Sequence, residues 1–366
     1  MKTGKTLVQL AQELTRIKET AKDYVVPVEK LKAVVKFDND GEKPRESVAL
    51  EFVNGHTNTL GLTNWSSGQL ATFTDIPKQY FDRIKTENPS LAVKNINHGL
   101  ERSSNDSRMI RTLDGNVRGL LSSKYRILDS YDMLETILPV ASDQGLEVVS
   151  SEITDKRLFI KLLSPKLITE VKKGDAVQYG LTISTSDVGA GSVRVEPLIY
   201  RLVCSNGMIS NTAIRKYHVG RSQSENDVFE ILSDKTKEIS DAAFWMQVKD
   251  IVLASLKTEN FEKQVDRLRL AAEMPIKNFD LPEVVELTMR ATGLTGENKK
   301  NSILAALASG NEGAGLTQWG LVNSFTRAAQ GDEFDYETSI EMERAAGQII
   351  ELPRKDWARI ADAVTA

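Results

Sequence analysis

Residues 108–129 read RMIRTLDGNVRGLLSSKYRILD, and the stretch sets a first piece of antiparallel structure. Asp114 and Gly115 supply the two positive-φ positions of a two-residue hairpin turn, and the flanking segments are apolar enough to pair as strands. In the simplest register Arg111 faces Arg118. Like charges opposed across a ladder repel, so the pair predicts an anion or an acidic neighbour lying over it. Arg108, Lys124 and Arg126 enlarge the cationic cluster. Tyr125, between two cations, is either a stacking platform for a nucleobase or a core residue with both charges splayed outward; the core reading is favoured for Tyr125 and the anion reading for Arg126.

Working outward, residues 4–22 carry apolar positions at helical spacing, and VALEFVNG and TLGLTNW have strand character. A helix is expected from Ser67. The stretch from there to HGL at 98–100 predicts two short helices broken at Pro77, with Leu70, Phe73, Ile76, Tyr80, Phe81 and Ile84 as their buried stripe. YDMLETILPVASDQG predicts a helix closing on Gly145. Beyond it LEVVSSEIT, KRLFIKLLS, AVQYGLTIST, SVRVEPLIYRLVC and MISNTAIRKYHVG recur as strands of an antiparallel sheet, each bounded by turn residues. Asn206-Gly207 is a second tight-turn signal, and Pro197 asks for a bulge or an edge position. From Asp227 onward helical periodicity dominates. The expectation is an α+β chain: an N-terminal helix over 1–24, a basic α+β core with antiparallel sheet over 25–222, and an acidic helical domain over 223–366.

The 366 residues, 40% hydrophobic and 27% charged, are those of a globular chain with a substantial core. No apolar run reaches the roughly 18 residues of a membrane span, and the N-terminus lacks a secretory apolar core, so a cytoplasmic protein without a membrane partner is expected. Cys204 is the single cysteine, which excludes an internal disulfide and thiolate-rich metal sites. His56, His98 and His218 have no His or Cys at ligand spacing, so neither a metal nor another cofactor is expected. The net charge of −4 divides into +5 for residues 1–222 and −9 for 223–366. Within the basic half, 102–126 carries six Lys or Arg against two acids, and 194–221 carries five against one.

The second basic segment contributes Arg194, Arg201, Arg215, Lys216, His218 and Arg221 as candidate phosphate contacts. DVGAG, at 187–191, has the look of a phosphate loop, but it lacks the Lys and Ser/Thr of one and reads as a wide turn between strands. His218 has no nucleophile or carboxylate at a telling spacing, so phosphate contact or structural hydrogen bonding is preferred to catalysis. Cys204 reads as a small buried hydrophobe, and Trp65, Trp245, Trp319 and Trp357 as core.

QLATFTDIPKQYFDRI, VRGLLSSKYRILDSYDMLE, TSDVGAGSVRVEPLIYRLVCSNGM with KYHVG, and TQWGLVNSFTRAA, in this order, resemble phage- and plasmid-encoded proteins of domain-of-unknown-function family 932. The resemblance covers about residues 50–350, with SSKYRILD and RLVCSNGM as its most specific pieces. It implies a mobile-element setting and a role in DNA handling, with a fold-level analogy to Rad52-like annealing proteins, and brings no catalytic residue. The expected function is therefore single-stranded DNA binding or annealing by a self-associating, non-enzymatic protein. The alternatives are an assembly module whose basic face docks the acidic part of a neighbouring copy, and, ranked last, a phosphoester-acting enzyme around His218 and Asp187.

Overall fold

The computed structural model describes residues 2–38, 45–210, 214–216, 234–310 and 315–362. Its architecture is α+β, with the sheets in the N-terminal and central parts and helices in the C-terminal part. The first sheet has the order β1-β5-β6-β4-β3-β2, made of β1 (Lys22–Pro27), β2 (Leu31–Asp38), β3 (Arg45–Asn54), β4 (His56–Leu62), β5 (Ser107–Leu113) and β6 (Asn116–Ser122). All its pairings are antiparallel except β4 with β6, which run parallel at Gly61–Leu62. One face buries Ala33, Leu50, Phe52, Ile110 and Val117 against α2 (Asn64–Phe73), α3 (Lys78–Glu87) and α4 (Pro89–Arg102). β2 is an edge strand, and Asn97 of α4 blunts it: its side-chain amide accepts from Ala33 N–H and donates to Ala33 C=O at 2.7 and 3.0 Å.

The second sheet has the order β11-β10-β9-β8-β7, with β12 also on β10. Its strands are β7 (Glu147–Ile153), β8 (Leu158–Lys172), β9 (Asp175–Thr185), β10 (Val193–Arg201), β11 (Asn206–Ile209) and β12 (Ile214–Lys216). Pro197 lies between the β10 residues paired to β12 (193–195) and those paired to β11 (198–201), where a missing N–H costs no ladder bond. Ile160, Leu162, Leu181 and Ile183 pack toward α1 (Leu7–Thr20), α5 (Ser130–Asp143) and α6 (Asp234–Ser255). Tyr179, Ile199 and Met208 pack toward the helical part, which comprises α7 (Thr258–Glu273), α8 (Leu281–Thr292), α9 (Glu297–Ser309), α10 (Gln318–Ala328), α11 (Tyr336–Ile350) and α12 (Arg354–Ala361). Among the described residues no helix is long and apolar enough to cross a membrane.

Local expectations fail where chemistry is shared between element types. β1 and β2 carry no clean alternation in sequence, and α12 is a short helix whose apolar face is Trp357, Ile360 and Ala361. The region around Pro77 forms three helices rather than two, because Asn88 ends α3 and caps α4, whose first residue is Pro89. α2 starts at Asn64 rather than at Ser67, with Thr63 accepting from Ser66 N–H. Of the expected stripe, Tyr80 is exposed. Asn206 and Gly207 are not a turn: they pair with Arg201 and Tyr200 inside the sheet, and the chain reverses one step earlier, with Ser205 at positive φ. Cys204 falls in that reversal and is half-buried, with Arg201 Nη1 3.2 Å from its sulfur. Trp245, Trp319 and Trp357 are core, while Trp65 is half-buried and donates to Val188 C=O.

The helical part is fastened to the second sheet by a buried ion pair. Lys161 on β8 and Glu343 on α11 are 0% and 1% exposed, with Nζ at 2.8 and 2.6 Å from the two carboxylate oxygens. Beside it Gly347 packs its Cα against Ile209 C=O, where any Cβ would collide at 1.9 Å. Removing one charge of a buried pair strands the other in a low-dielectric interior. Lys161→Met should therefore cost about 3–5 kcal/mol in denaturant unfolding, whereas Lys161→Met with Glu343→Leu should recover most of that loss.

Candidate anion-binding cleft

The hairpin forms as its turn residues require, with Asp114 at φ 50° and Gly115 at φ 74°, both in the left-handed region of a two-residue turn. Arg16 of α1 holds the Asp114 carboxylate at 2.8 and 2.9 Å. The register corrects the expected face-to-face arginines. Arg111 is opposite Gly119 and Thr112 opposite Val117, so Arg118 is the extra residue of a bulge on β6. The bulge sends Arg118 to the face of Arg111, and both reach Asp187.

Asp187 starts the DVGAG turn between β9 and β10. Its carboxylate accepts from Ser130 N–H at 2.8 Å, Ser130 Oγ at 2.6 Å and Arg118 Nη1 at 3.3 Å; its backbone carbonyl accepts from Arg111 Nη1 at 2.7 Å. Trp65 and Gln69 donate to Val188 C=O, and Arg157 donates to Ala190 C=O. The turn's carbonyls are thus held by donors from β5, α2 and the loop 154–157, an ordered wide turn rather than a phosphate loop. Arg111, 2% exposed, also donates Nε and Nη2 to Asp23 and pairs with Asp129 at 2.8 Å. Burial works against its charge, but Asp129, Asp23 and Asp187 outweigh it and hold the guanidinium above its ordinary pKa.

Arg118 is treated differently. It is 8% exposed, its contact with Asp187 is long, and among the described residues its Nε has no hydrogen-bond partner. It lines two adjoining cavities. One, of about 160 Å³, is bounded by Asp23, Arg111, Asp129, Asp132 and the end of α1. The other, of about 190 Å³, is bounded by the hairpin turn, Thr63, Asp187 and the loop Thr154, Asp155, Lys156, Arg157. Arg118, Lys156 and Arg157 are the cations of this second cavity, and donors of that kind are what an oxyanion needs.

The remaining predicted residues do not form one track. Arg108 is partly exposed, pairs with Asp106 at 2.6 Å and lies 3.9 Å from the Phe73 ring centroid. Lys124 is exposed at the end of the hairpin. Tyr125 is core, packed with Met109 and Leu121, its hydroxyl 3.3 Å from Ser186 C=O and its pKa pushed up to about 12 by burial. Arg126, expected to meet an anion, is buried and paired with Asp241 of α6. Arg201 is buried at the far end of β10 from the DVGAG turn and pairs with Asp175 at 2.5 Å, whose other oxygen accepts from Trp319. Arg194 is half-buried on β10, next to Arg215 of β12. The side chains of Arg215 and Lys216, and all of His218 and Arg221, lie outside the described residues. Among the described residues no three His, Cys, Asp or Glu are placed to hold a metal ion.

Lys156, Arg157 and Asp23 belong to segments distant in the chain and carry no sequence signal of their place here, nor does Ser130, just beyond the hairpin stretch. The usable signal was Arg118 itself, a cation inside the apolar run NVRGLL, where a buried partner is required. Asp132, on the rim, shows the density of acid here: burial, then the neighbouring Asp129, raise its pKa, with Lys18 opposing. A carboxyl whose folded pKa lies above its unfolded one is destabilising once ionised, fully so above the folded pKa and not at all below the unfolded one. Asp132→Asn should thus raise stability at neutral pH, and the gain should vanish as pH falls through the ordinary carboxylate range, as read by thermal unfolding across pH.

Comparison with known proteins bears on residues 117–345, more than half of the chain, which match the family model described as Domain of unknown function (DUF932). The match starts within the hairpin, so Arg118, Arg157, Asp187 and Glu337 fall inside it while Arg111 and Asp23 precede it. No curated protein matches the chain, and no solved structure does. The chain belongs to the DUF932 family.

Proposed function

We propose that the protein is a binding protein for phosphate-bearing chains, with single-stranded DNA as its ligand, and that a backbone phosphate enters the cleft over Arg118. One observation carries this reading. Arg118 is a buried guanidinium on the cavity wall, held by one long contact to Asp187 and with an Nε that has no hydrogen-bond partner among the described residues, and a buried charge is costly until its hydrogen bonds are filled. Lys156 and Arg157 stand beside it on the cavity wall. The hairpin face itself contributes little, because Arg111 and Arg126 are already neutralised by aspartates.

Self-association is the second reading, and its support is different from the charge asymmetry that first suggested it. Acidic residues of α6 and α11 meet basic residues of β8 and of the loops before α5 and β8 within one chain, as in Arg126–Asp241, Lys161–Glu343 and Lys156–Glu337. The feature favouring self-association is apolar: Ile239, Met246 and Leu253 recur every seventh residue on α6 and are 61%, 60% and 36% exposed. Met246→Asp should lower the mass seen by light scattering if this stripe joins copies.

Titrating the protein with labelled single-stranded oligonucleotide at several salt concentrations tests the binding reading. The logarithm of affinity should fall with the logarithm of salt with a slope of about −0.7 per phosphate contacted. Lys156→Gln should weaken binding several-fold and reduce that slope by about one contact's worth, whereas Lys249→Gln on the exposed side of α6 should change neither. Equal behaviour of the two variants would remove the cleft from the binding surface.

A further inference from the structure

Glu337 is the second residue of α11, and its carboxylate lies over the wall of the cleft. One oxygen accepts from the Thr154 hydroxyl at 2.6 Å; the other is 3.5 Å from Lys156 Nζ and 4.0 Å from Arg157 Nη1. All three of these partners line the cavity that contains Arg118. Charge-assisted hydrogen bonds at full strength run to about 2.7–2.9 Å, so Glu337 neutralises the two cations at long range without saturating them. Arg157 is simultaneously tied to the DVGAG turn through Ala190 C=O. The acid is also well placed on its own helix, in the first turn, where the α11 dipole favours negative charge. It therefore has a resting place whether or not the cations are available to it.

We propose that Glu337 is a built-in competitor for the ligand phosphate. This rests on the reading of the cleft as a phosphate site. A phosphate seated against Arg118 calls on the Thr154 hydroxyl, Lys156 and Arg157, the same donors the carboxylate holds, and two anions cannot share them without mutual repulsion. Ligand entry then means handing these donors from carboxylate to phosphate, with Glu337 left at the N-terminus of α11. The contact makes affinity depend on how the first turn of α11 sits on the loop 154–157, and it disfavours weakly charged ligands that cannot displace a carboxylate.

The test uses the full chain and a labelled single-stranded oligonucleotide, with Glu286→Gln as a control of equal net-charge change on α8, where Glu286 pairs with Lys300 and Arg290. Glu337→Gln should tighten binding roughly three- to tenfold and steepen its salt dependence, while Glu286→Gln should shift it less than about twofold. Glu337→Ser, which keeps an oxygen for the first turn, should behave as Glu337→Gln does, so a folding defect in one variant leaves the other to decide. If wild type binds in a Lys156-dependent manner and neither Glu337 variant binds tighter than Glu286→Gln, the competitor is overturned and the binding reading stands. If neither wild type nor the Glu337 variants respond to Lys156→Gln, both fall together.

Discussion

Everything around the cleft depends on the position of one carboxylate. Asp187 sits where β9 hands over to β10, caps the N-terminal end of α5 through Ser130, and receives Arg111 and Arg118 of the hairpin. It thereby joins the first sheet, the second sheet and the α1–α5 layer at one buried point. An ionised group in that setting is tolerable only while its lone pairs are filled from several directions, so the three elements are placed relative to each other by a requirement for hydrogen bonds rather than by apolar contact alone. The two arginines are not equivalent in meeting it. Arg111 is surrounded by Asp23, Asp129 and the Asp187 carbonyl, while Arg118 has one long contact and an idle Nε. Structural need accounts for the first, and leaves donor capacity in the second.

Charge bookkeeping by segment is informative here only after the buried pairs are subtracted. The +5 and −9 halves suggest a basic surface awaiting an acidic partner, yet part of the difference is met inside the fold. Lys161 meets Glu343, Arg126 meets Asp241, Lys156 and Arg157 meet Glu337, and Arg344 of α11 returns the exchange by holding Glu196 of β10. Four of these five pairs come from α11, so this helix is the electrostatic seam between the helical part and the second sheet with its β7–β8 loop. Segment sums therefore do not locate the cleft; its cations, Arg118, Lys156 and Arg157, come together only in the fold.

What could be read in advance follows from how local each signal is. The Asp114-Gly115 turn, the strands of the second sheet and the helices from α6 to α11 are set by neighbours within a few residues, and their patterns survive folding. Asn206-Gly207 misled because the same dipeptide that makes a tight turn is also accommodated in a strand when its neighbour, here Ser205, takes the positive φ. The fate of the arginines was illegible for another reason: Asp23, Asp187 and Asp241 lie 88, 69 and 115 residues from the cations they meet, and no spacing rule connects them. Cationic clustering marked the region correctly as electrostatically demanding, but not which side of the protein surface would answer the demand.

The β6 bulge decides how that demand is met. In a ladder continued without a bulge from the Ile110–Leu120 pair, side chains alternate, so Arg118 would share a face with Leu120 and point into the apolar layer of Leu50, Phe52 and Ile110, while Val117 would face Asp187. Both outcomes are costly, one burying an unpaired guanidinium and the other leaving a carboxylate without its donor. Inserting one residue between the pairings of Arg111 and Thr112 exchanges the two side chains: Val117 enters the helix-covered core and Arg118 turns to Asp187. Gly119, next in line, keeps that face open for Val188, whose Cβ would stand 3.3 Å from any added methyl. The bulge is therefore the feature that converts an apolar strand with a misplaced charge into a wall of a cleft with a cation at its base.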